Sequence, residues 1–234
     1  MIKLEKKESI YFLTLDAGEN RWNTTFVREI AKALDTIEDD EGQGALITSS
    51  TDSKFFSNGL DLEWMQAPED HPDGGDREVF GEEFMYLMGR FITLPIPTVC
   101  ALNGHTFGAG FMFALSHDFR IMREDKGFIC ANEMQLGLPI PRPELALFKH
   151  KIPANAFFET VQLSKRWTGA DALKAGIIQG VSSFEELSEA ALRKAKALAP
   201  LANNRKNFGH QKEMLYGENA AINLAHGPAH MLKN

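Results

Sequence analysis

Apolar residues in the first 50 positions alternate between short continuous runs and one helix-spaced face. The run Ile10–Leu15 is rich in β-branched and aromatic residues and predicts a strand. Residues 45–48 form a short apolar run of the kind found in buried parallel strands. Between the two runs, Asn23 or Thr24 can cap a helix whose apolar positions share one face. Those positions are Phe26, Val27, Ile30, Leu34 and Ile37. The strand–helix–strand order predicts an α/β protein.

The alternation continues through the middle of the chain. Residues 67–77 are rich in Pro, Gly and acidic side chains, which predicts an exposed loop. A helix follows, and Pro95 and Pro97 end it. Its apolar face consists of Phe80, Phe84, Leu87, Met88 and Phe91. Further strands are predicted at residues 98–102, 119–122 and 128–130. A glycine-rich turn and an apolar helix separate the first two of these strands.

The last third of the chain, from Pro143 onward, has a mostly helical pattern. Thr168 is a suitable N-cap for a helix at residues 170–174. Apolar residues at 184–199 are spaced for one helix face, and residues 202–216 form a basic amphipathic segment. We expect an α/β core of roughly 165 residues followed by a helical C-terminal part.

Composition and charge narrow the class of protein. A chain of 234 residues with 44% hydrophobic content is typical of one globular domain, with or without a small appendage. The formal net charge of −7 argues against general binding to nucleic acid or to an anionic membrane. The sequence lacks a run of about 18 apolar residues, a signal-peptide pattern and a peroxisomal Ser-Lys-Leu ending, so a cytoplasmic protein is expected.

Cysteine and histidine residues do not suggest chemistry of their own. Cys100 and Cys130 lie in apolar runs and are expected to be buried free thiols. No Cys/His pairs occur at zinc-ligand spacing, so no metal site is expected. His105 and His117 lie near the glycine-rich turn, but no serine or cysteine nucleophile motif accompanies them. A structural or solvent-facing role is favoured for both histidines.

The first motif with possible chemistry spans residues 55–62, shortly after a predicted buried strand. Its Gly59 precedes a backbone N–H group that a tight turn would expose. An oxyanion site needs such donors, because two converging N–H groups stabilise negative charge better than one. An ordinary strand-to-helix turn is the alternative interpretation.

The second motif is the glycine-rich turn at residues 103–110. The spacing of Gly104, Gly108 and Gly110 differs from the dinucleotide-binding fingerprint, and the turn lacks the Lys and Ser/Thr of a phosphate-binding loop. What remains is a tight entry into a helix, whose first N–H groups have no partner within the helix and favour negative charge. Close packing of that helix on the strand explains the glycines equally well.

The third motif is Glu133, which stands alone among the uncharged residues of 132–137. A carboxyl group against apolar walls has a raised pKa, which suits it to accept and return protons near neutral pH. A helix-capping or surface glutamate is the alternative.

Other charged residues are interpreted as surface groups. The acids in question are Asp52, Asp61, Asp118, Glu124 and Asp125. Arg205, Lys206 and Lys212 of the basic tail could reach a phosphate, but a solvated helix face is the favoured interpretation.

The order and spacing of the three motifs resemble the crotonase superfamily, also called the enoyl-CoA hydratase/isomerase family. The segments that carry the resemblance are residues 55–62, 101–110 and 132–137. The resemblance implies an α/β fold built as a spiral of repeated ββα units, with a helical C-terminal region. It also implies an acyl-CoA-binding core at residues 1–183 and a helical oligomerisation region at residues 184–234, which assembles a homotrimer or a dimer of trimers.

The resemblance further implies an acyl-CoA thioester substrate and no separate cofactor or metal. By position, the backbone N–H groups of Leu60 and Ala109 would form the oxyanion hole for the thioester enolate. The residues implied to surround the substrate are Asn58, Gly59, Asp61, Leu62, Gly108, Met112 and Leu136. Lys54 and the tail lysines are candidates for contacts with the CoA phosphates. Residues 139–143, which contain three prolines, could reshape the pocket wall beside Glu133.

The type of reaction depends on two acid positions of the family. Met112 occupies the position of one hydratase glutamate, whereas Glu133 matches the other. A single base is enough to move a double bond, so the pattern resembles a Δ3,Δ2-enoyl-CoA isomerase of fatty-acid β-oxidation. Another reaction of the family remains open: an atypical hydration, a thioester hydrolysis, a decarboxylation or a dehalogenation. So does a non-catalytic relative that binds acyl-CoA or RNA, although the net negative charge gives RNA binding little support.

Overall fold

The computed structural model describes residues 1–68 and 76–217, with backbone only for the last two of these. Its strands are β1 (Ile2–Lys7), β2 (Ile10–Leu15), β3 (Ala45–Ser50), β4 (Phe55–Ser57), β5 (Thr98–Leu102), β6 (His105–Phe107), β7 (Phe119–Arg123), β8 (Ile129–Cys130) and β9 (Gly180–Ser182). Six of them form a large sheet in the order β1-β2-β3-β5-β7-β9. The pair β1/β2 is antiparallel, and the other neighbours in this sheet are parallel.

A second, smaller sheet joins β4, β6 and β8 in parallel. In each of the consecutive pairs β3–β4, β5–β6 and β7–β8, the first strand belongs to the large sheet and the second to the small sheet. A helical segment follows each pair. This is the predicted α/β fold of repeated ββα units, which the structure confirms.

The helices are α1 (Thr24–Glu38), α2 (Leu62–Gln66), α3 (Phe80–Thr93), α4 (Ala109–Ser116), α5 (Glu133–Leu136), α6 (Arg142–Lys151), α7 (Ala154–Val161), α8 (Gly169–Lys174), α9 (Phe184–Leu198) and α10 (Arg205–Gly217). Two predicted caps are confirmed, because the side chain of Asn23 accepts from the N–H of Phe26 and that of Thr168 accepts from the N–H of Asp171. The predicted apolar face of α1 is buried along its whole length.

Several elements did not stand out in the sequence. The strands β4, β6 and β9 have three residues each, too few for a two-residue period to appear. The strand predicted at residues 128–130 is confirmed as β8. The strand β6 lies inside the segment predicted as a glycine-rich turn. Of the loop predicted at residues 67–77, residues 69–75 lie outside the described part of the chain.

The main core lies between the two sheets and the helices of the first two repeats. The indole ring of Trp22 is fully buried at its centre. It meets the rings of Phe26, Phe84 and Phe113 edge-on, each with 5.0 Å between ring centroids. This packing ties α1, α3 and α4 together behind the loops that carry the first two motifs.

The helix α9 covers the opposite face of the large sheet. Its Leu187, Ala191 and Ala195 are buried against the strands, in a cluster that includes Ile10 and Val99. Part of the region predicted for oligomerisation thus packs on the same sheet as the core, and its role between subunits stays a prediction.

The basic segment near the C-terminus forms helix α10, and only part of it faces solvent. Lys206 is exposed, as predicted, but the same expectation is wrong for Lys212, which is 6% exposed. The ammonium group of Lys212 lies 2.8 Å from the Asp118 carboxylate and donates to the carbonyl of Ile96. Arg205 donates to the Tyr11 hydroxyl and to backbone carbonyls. Asp118 is correspondingly a partner inside the fold and not a free surface acid.

Buried polar groups near this contact are also paired. The Nε2 atom of His117 lies 2.8 Å from the Thr48 hydroxyl, and its Nδ1 atom lies 2.9 Å from the carbonyl of Phe113. Burial lowers the pKa of His117 to about 3, which confirms a structural histidine. Cys100 and Cys130 are buried free thiols, as predicted.

No helix within the described ranges is long and apolar enough to cross a bilayer. In the same ranges, His, Cys, Asp and Glu side chains form no group that could hold a metal ion.

Candidate active site

Glu133 lies where β8 leads into α5, and its side chain points away from water. The residue is 9% exposed. Its Oε2 atom is buried and has no hydrogen-bond partner among the residues that the structure describes. Burial raises the pKa of the Glu133 carboxyl above its usual 4.5, although a hydrogen bond from its own backbone opposes the shift. The position excludes the surface interpretation of this residue.

Gly108 brings the entry of α4 against this carboxyl group. A Cβ atom at Gly108 would lie 3.2 Å from Oε1 of Glu133, and the backbone has a positive φ of 48°. Ala109 is the first residue of α4, so its N–H group has no acceptor within the helix. Glycine at position 108 therefore lets the carboxyl group approach the N-terminus of α4 closely.

The turn after β4 approaches the same point from the other side. The carbonyl of Gly59 accepts from the N–H of Trp22, and the N–H of Asp61 donates to the carbonyl of Trp22. The intervening N–H of Leu60 donates to no group within the described chain. A Cβ atom at Gly59 would lie 2.9 Å from the carbonyl oxygen of Phe107 and 3.8 Å from the backbone nitrogen of Ala109.

These contacts place two backbone N–H groups without acceptors, those of Leu60 and Ala109, in neighbouring turns. The Glu133 carboxyl lies beside the second of them, across Gly108. Such an arrangement can stabilise a developing negative charge on one atom while a carboxylate moves a proton nearby. The structure thus brings together the three motifs that the sequence singled out, and their chemical roles stay predictions.

A cavity of about 570 Å³ opens onto this point. Its lining includes most of the residues predicted to surround a substrate: Asn58, Gly59, Leu60, Leu62, Gly108, Ala109, Met112, Glu133 and Leu136. Asp61 does not line it, and its carboxylate instead caps α2 by accepting from the N–H of Trp64. The cavity is of ordinary size for a small-molecule site.

The walls of the cavity are mostly apolar. Met112 is 2% exposed and faces the interior, whereas Leu136 and Leu138 are partly exposed. Pro139 and Pro141 also line the cavity, which places the predicted rigid segment in its wall. Apolar walls with few polar groups exclude water and strengthen electrostatic interactions inside.

Glu144 is a cavity residue that the sequence interpretation missed. It lies in the first turn of α6, directly after the proline-rich segment, and its side chain lines the same cavity as Glu133. Burial and the negative charge of Glu133 raise the pKa of Glu144 to about 7. The sequence feature that could have indicated Glu144 is the proline-rich segment just before it, because that segment was expected to form the pocket wall.

Cations at the cavity also differ from those expected. Arg21 and Arg77 line it, whereas Lys54 and Lys212 do not. Arg21 forms an ion pair of 2.8 Å with Glu19, which also accepts from the side-chain amide of Asn58. The candidate contacts with CoA phosphates therefore include an arginine that the sequence did not indicate.

Comparisons with known proteins give one consistent family. A family model described as enoyl-CoA hydratase/isomerase matches residues 5–219. The chain is 32% identical over 227 residues to enoyl-CoA delta isomerase 2, peroxisomal, from Arabidopsis thaliana, and the match covers 95% of each chain. It is 33% identical over 223 residues to enoyl-CoA delta isomerase 1, peroxisomal, from the same plant, which covers 93% of this chain and 90% of the relative.

A solved structure has the same fold as this chain. The crystal structure of a probable enoyl-CoA hydratase from Mycobacterium tuberculosis superposes with a TM-score of 0.80 and 26% identity. The superposition covers 93% of this chain and 89% of the other.

Proposed function

The chain belongs to the enoyl-CoA hydratase/isomerase family, and on that basis we propose that it is a Δ3,Δ2-enoyl-CoA isomerase. The substrate would be a 3-enoyl-CoA and the product a trans-2-enoyl-CoA. Substrate and product are isomers, so the reaction consumes no water and exchanges no electrons. It therefore needs no redox cofactor, and the chemistry assigned here to the protein's own groups uses no metal.

The thioester oxygen of the substrate would lie between the N–H groups of Leu60 and Ala109. Both donors would strengthen their hydrogen bonds as negative charge develops on this oxygen in the dienolate, which lowers the barrier and does not merely tighten binding. The N-terminus of α4 adds favourable electrostatic potential at the same place, because Ala109 is its first residue.

Glu133 would remove a proton from C2 of the bound acyl chain and return it at C4, as a single-glutamate proton shuttle. Its Oε2 atom is free of hydrogen bonds within the described structure, so no described group competes for its lone pairs. Its raised pKa makes it a better base than an ordinary exposed carboxylate. Met112 at the position of a second family acid disfavours the addition of water at that place.

The observation that carries this proposal is that the Glu133 carboxyl group lines the same cavity as Leu60 and Ala109, whose backbone N–H groups have no acceptor within the described chain. Hydration of a 2-enoyl-CoA is the second candidate, because Glu144 supplies another carboxyl group to the cavity. The two candidates differ in their products: an isomerase yields a 2-enoyl-CoA, and a hydratase yields a 3-hydroxyacyl-CoA.

The test is a product assay with 3-hexenoyl-CoA on the wild-type protein and on Glu133→Gln. We expect trans-2-hexenoyl-CoA from the wild type, and a loss of about 100- to 10,000-fold in kcat for the variant, because an amide cannot accept the proton. Glu186→Gln, the same change at an exposed position of α9, is the control and should leave kcat unchanged. Undiminished turnover by Glu133→Gln would refute the assigned role.

Assembly and location are also proposed on the family resemblance. We expect a homotrimer or a dimer of trimers, which light scattering would distinguish from a monomer. A cytoplasmic location stays a prediction, and the names of the two plant relatives place those proteins in peroxisomes.

A further inference from the structure

The cavity contains two carboxyl groups that come from different helices. Glu133 is the first residue of α5, and Glu144 lies in the first turn of α6. The segment between the two helices includes Pro139 and Pro141, which line the cavity and restrict the backbone. The proline-rich connection therefore holds the second carboxyl group at the wall of the cavity that contains the first.

The carboxyl group of Glu133 is not neutralised by a partner within the described chain, because its buried Oε2 atom has no hydrogen-bond partner there. Glu144 is half-buried at the wall of the same cavity. Elsewhere in the protein, partly buried acids are paired, as Glu38 is with Arg90. An unpaired carboxyl group in an apolar cavity lowers the free energy of unfolding, so its presence there calls for a functional explanation.

The two groups influence each other's charge. The negative charge of Glu133 adds to burial and raises the pKa of Glu144 to about 7, while burial alone raises the pKa of Glu133. Two neighbouring carboxylates in a medium of low dielectric constant resist ionising together. Glu144 therefore keeps its proton up to about pH 7, so the cavity can hold one acid beside one base.

We propose that Glu144 is a second catalytic carboxyl group, which donates a proton to C4 of the acyl chain while Glu133 accepts the proton from C2. This inference rests on the proposed isomerase function and replaces a single shuttling glutamate with two groups that divide the work. Because the two groups come from different elements, neither has to move between the two carbon atoms.

The step balances in atoms and electrons. The C2–H bond breaks, its proton goes to Glu133, and its electron pair forms a C1–C2 double bond while the electrons of the C1–O double bond move onto the thioester oxygen of the dienolate. When the C1–O double bond re-forms, the C1–C2 pair becomes the C2–C3 double bond, and the electrons of the C3–C4 double bond form a new bond from C4 to the proton of Glu144. Glu133 ends protonated and Glu144 ionised; Glu133 then releases its proton to solvent and Glu144 takes one from solvent, which restores the starting state.

The charged groups around Glu144 are few. The cavity that it lines also contains Glu133, Arg21 and Arg77. Of the helices that pack on α6, α4 has no titratable side chain within its bounds, and α7 contributes Glu159, which pairs with Lys165. The basic residues of α6 itself are Arg142 at its start and Lys149, His150 and Lys151 in its last turn. Within the cavity, the other carboxyl group is therefore the main influence on Glu144.

The test follows deuterium from C2 of doubly C2-labelled 3-hexenoyl-CoA in ordinary water. With two carboxyl groups, the wild-type product takes its new C4 hydrogen from solvent by way of Glu144 and carries no deuterium at C4. In Glu144→Gln, kcat should fall about 100-fold, and deuterium should appear at C4, because Glu133 must then perform both transfers.

The pH profile gives a second result that a merely structural role would not change. The wild-type rate should fall as the pH rises through about 7, since Glu144 then loses the proton it donates. Glu144→Gln should lack this alkaline limb. Deuterium at C4 of the wild-type product, or a Glu144→Gln kcat within threefold of wild type, would overturn the assignment. Absence of any isomerisation by the wild type would instead refute the proposed function itself.

Discussion

Charged groups lie away from water at several places in this protein, and two of these places differ in whether the charges are paired. At the docking site of α10, Asp118 accepts from the ammonium group of Lys212 at 2.8 Å and from the N–H of Thr98 at 2.9 Å. In the cavity, the buried Oε2 atom of Glu133 accepts from no described group, and the half-buried Glu144 lines the same space. The first site pairs its charges, and the second leaves its carboxyl groups available.

The difference indicates what each site contributes. A buried charge that is paired can hold a helix in place, and removing one partner leaves the other uncompensated. A buried carboxyl group without a partner lowers stability, and such a cost is commonly retained where chemistry depends on it. Changes at the Asp118–Lys212 pair should therefore affect folding, whereas changes in the cavity should affect turnover.

The largest effect that sharpens this contrast is expected from Ala109→Pro. Proline fits the first position of a helix but has no N–H group, so the change removes one donor while α4 can still form. We expect kcat for 3-hexenoyl-CoA to fall about 100- to 1,000-fold, with an unchanged circular dichroism spectrum.

Ala109→Gly is the control for this change, because it keeps the N–H group and should stay within a few-fold of wild type. Equal losses from the proline and glycine variants would show that side-chain packing, and not the N–H group, matters at this position.

A somewhat smaller effect, on stability and not on turnover, is expected from Lys212→Met at the paired site. The methionine fills the space of the lysine stem but removes the ammonium group that pairs with Asp118. The free energy of unfolding in urea should fall by about 3 kcal/mol, while kcat of the folded protein stays unchanged. Lys206→Met, at an exposed position of the same helix, should change stability by less than about 0.5 kcal/mol. A large loss of kcat in Lys212→Met would remove the contrast.

The smallest of these effects is expected from Gly108→Ala, which should lower both stability and kcat. The positive φ of 48° strains any side chain there, and the new Cβ would lie 3.2 Å from Oε1 of Glu133. We expect a loss of about 1–2 kcal/mol in stability and a drop in kcat as the carboxyl group shifts. Gly42→Ala has a φ of 81° with no atom within 4 Å of its Cβ, so it should cost stability without reducing kcat.

Sequence reasoning located the elements and the main site because the relevant information is local. The cap of α1, the glycines around Ala109 and the isolated Glu133 are all visible within a few residues. Glu144 was missed because no local pattern distinguishes it from an ordinary acid at the start of a helix. Its importance comes from the chain reversal before α6, which turns its side chain toward Glu133.

Lys212 shows the same limit at long range. Its amphipathic segment indicated a helix correctly, but its burial depends on Asp118, which lies in the loop before β7 and is distant in sequence. The short strands β4 and β6 were missed for a related reason. Their pairing partners come from successive repeats, and three residues carry no periodicity of their own.

The most direct test measures kcat and the free energy of unfolding of both Glu133→Gln and Lys212→Met. It decides whether the cavity serves turnover and the Asp118–Lys212 pair serves stability. We predict that Glu133→Gln loses at least about 100-fold in kcat and is no less stable than wild type, because it removes an unpaired carboxylate. Lys212→Met should show the reverse pattern. A Glu133→Gln protein that isomerises 3-hexenoyl-CoA at the wild-type rate would contradict the assignment of this carboxyl group as the base.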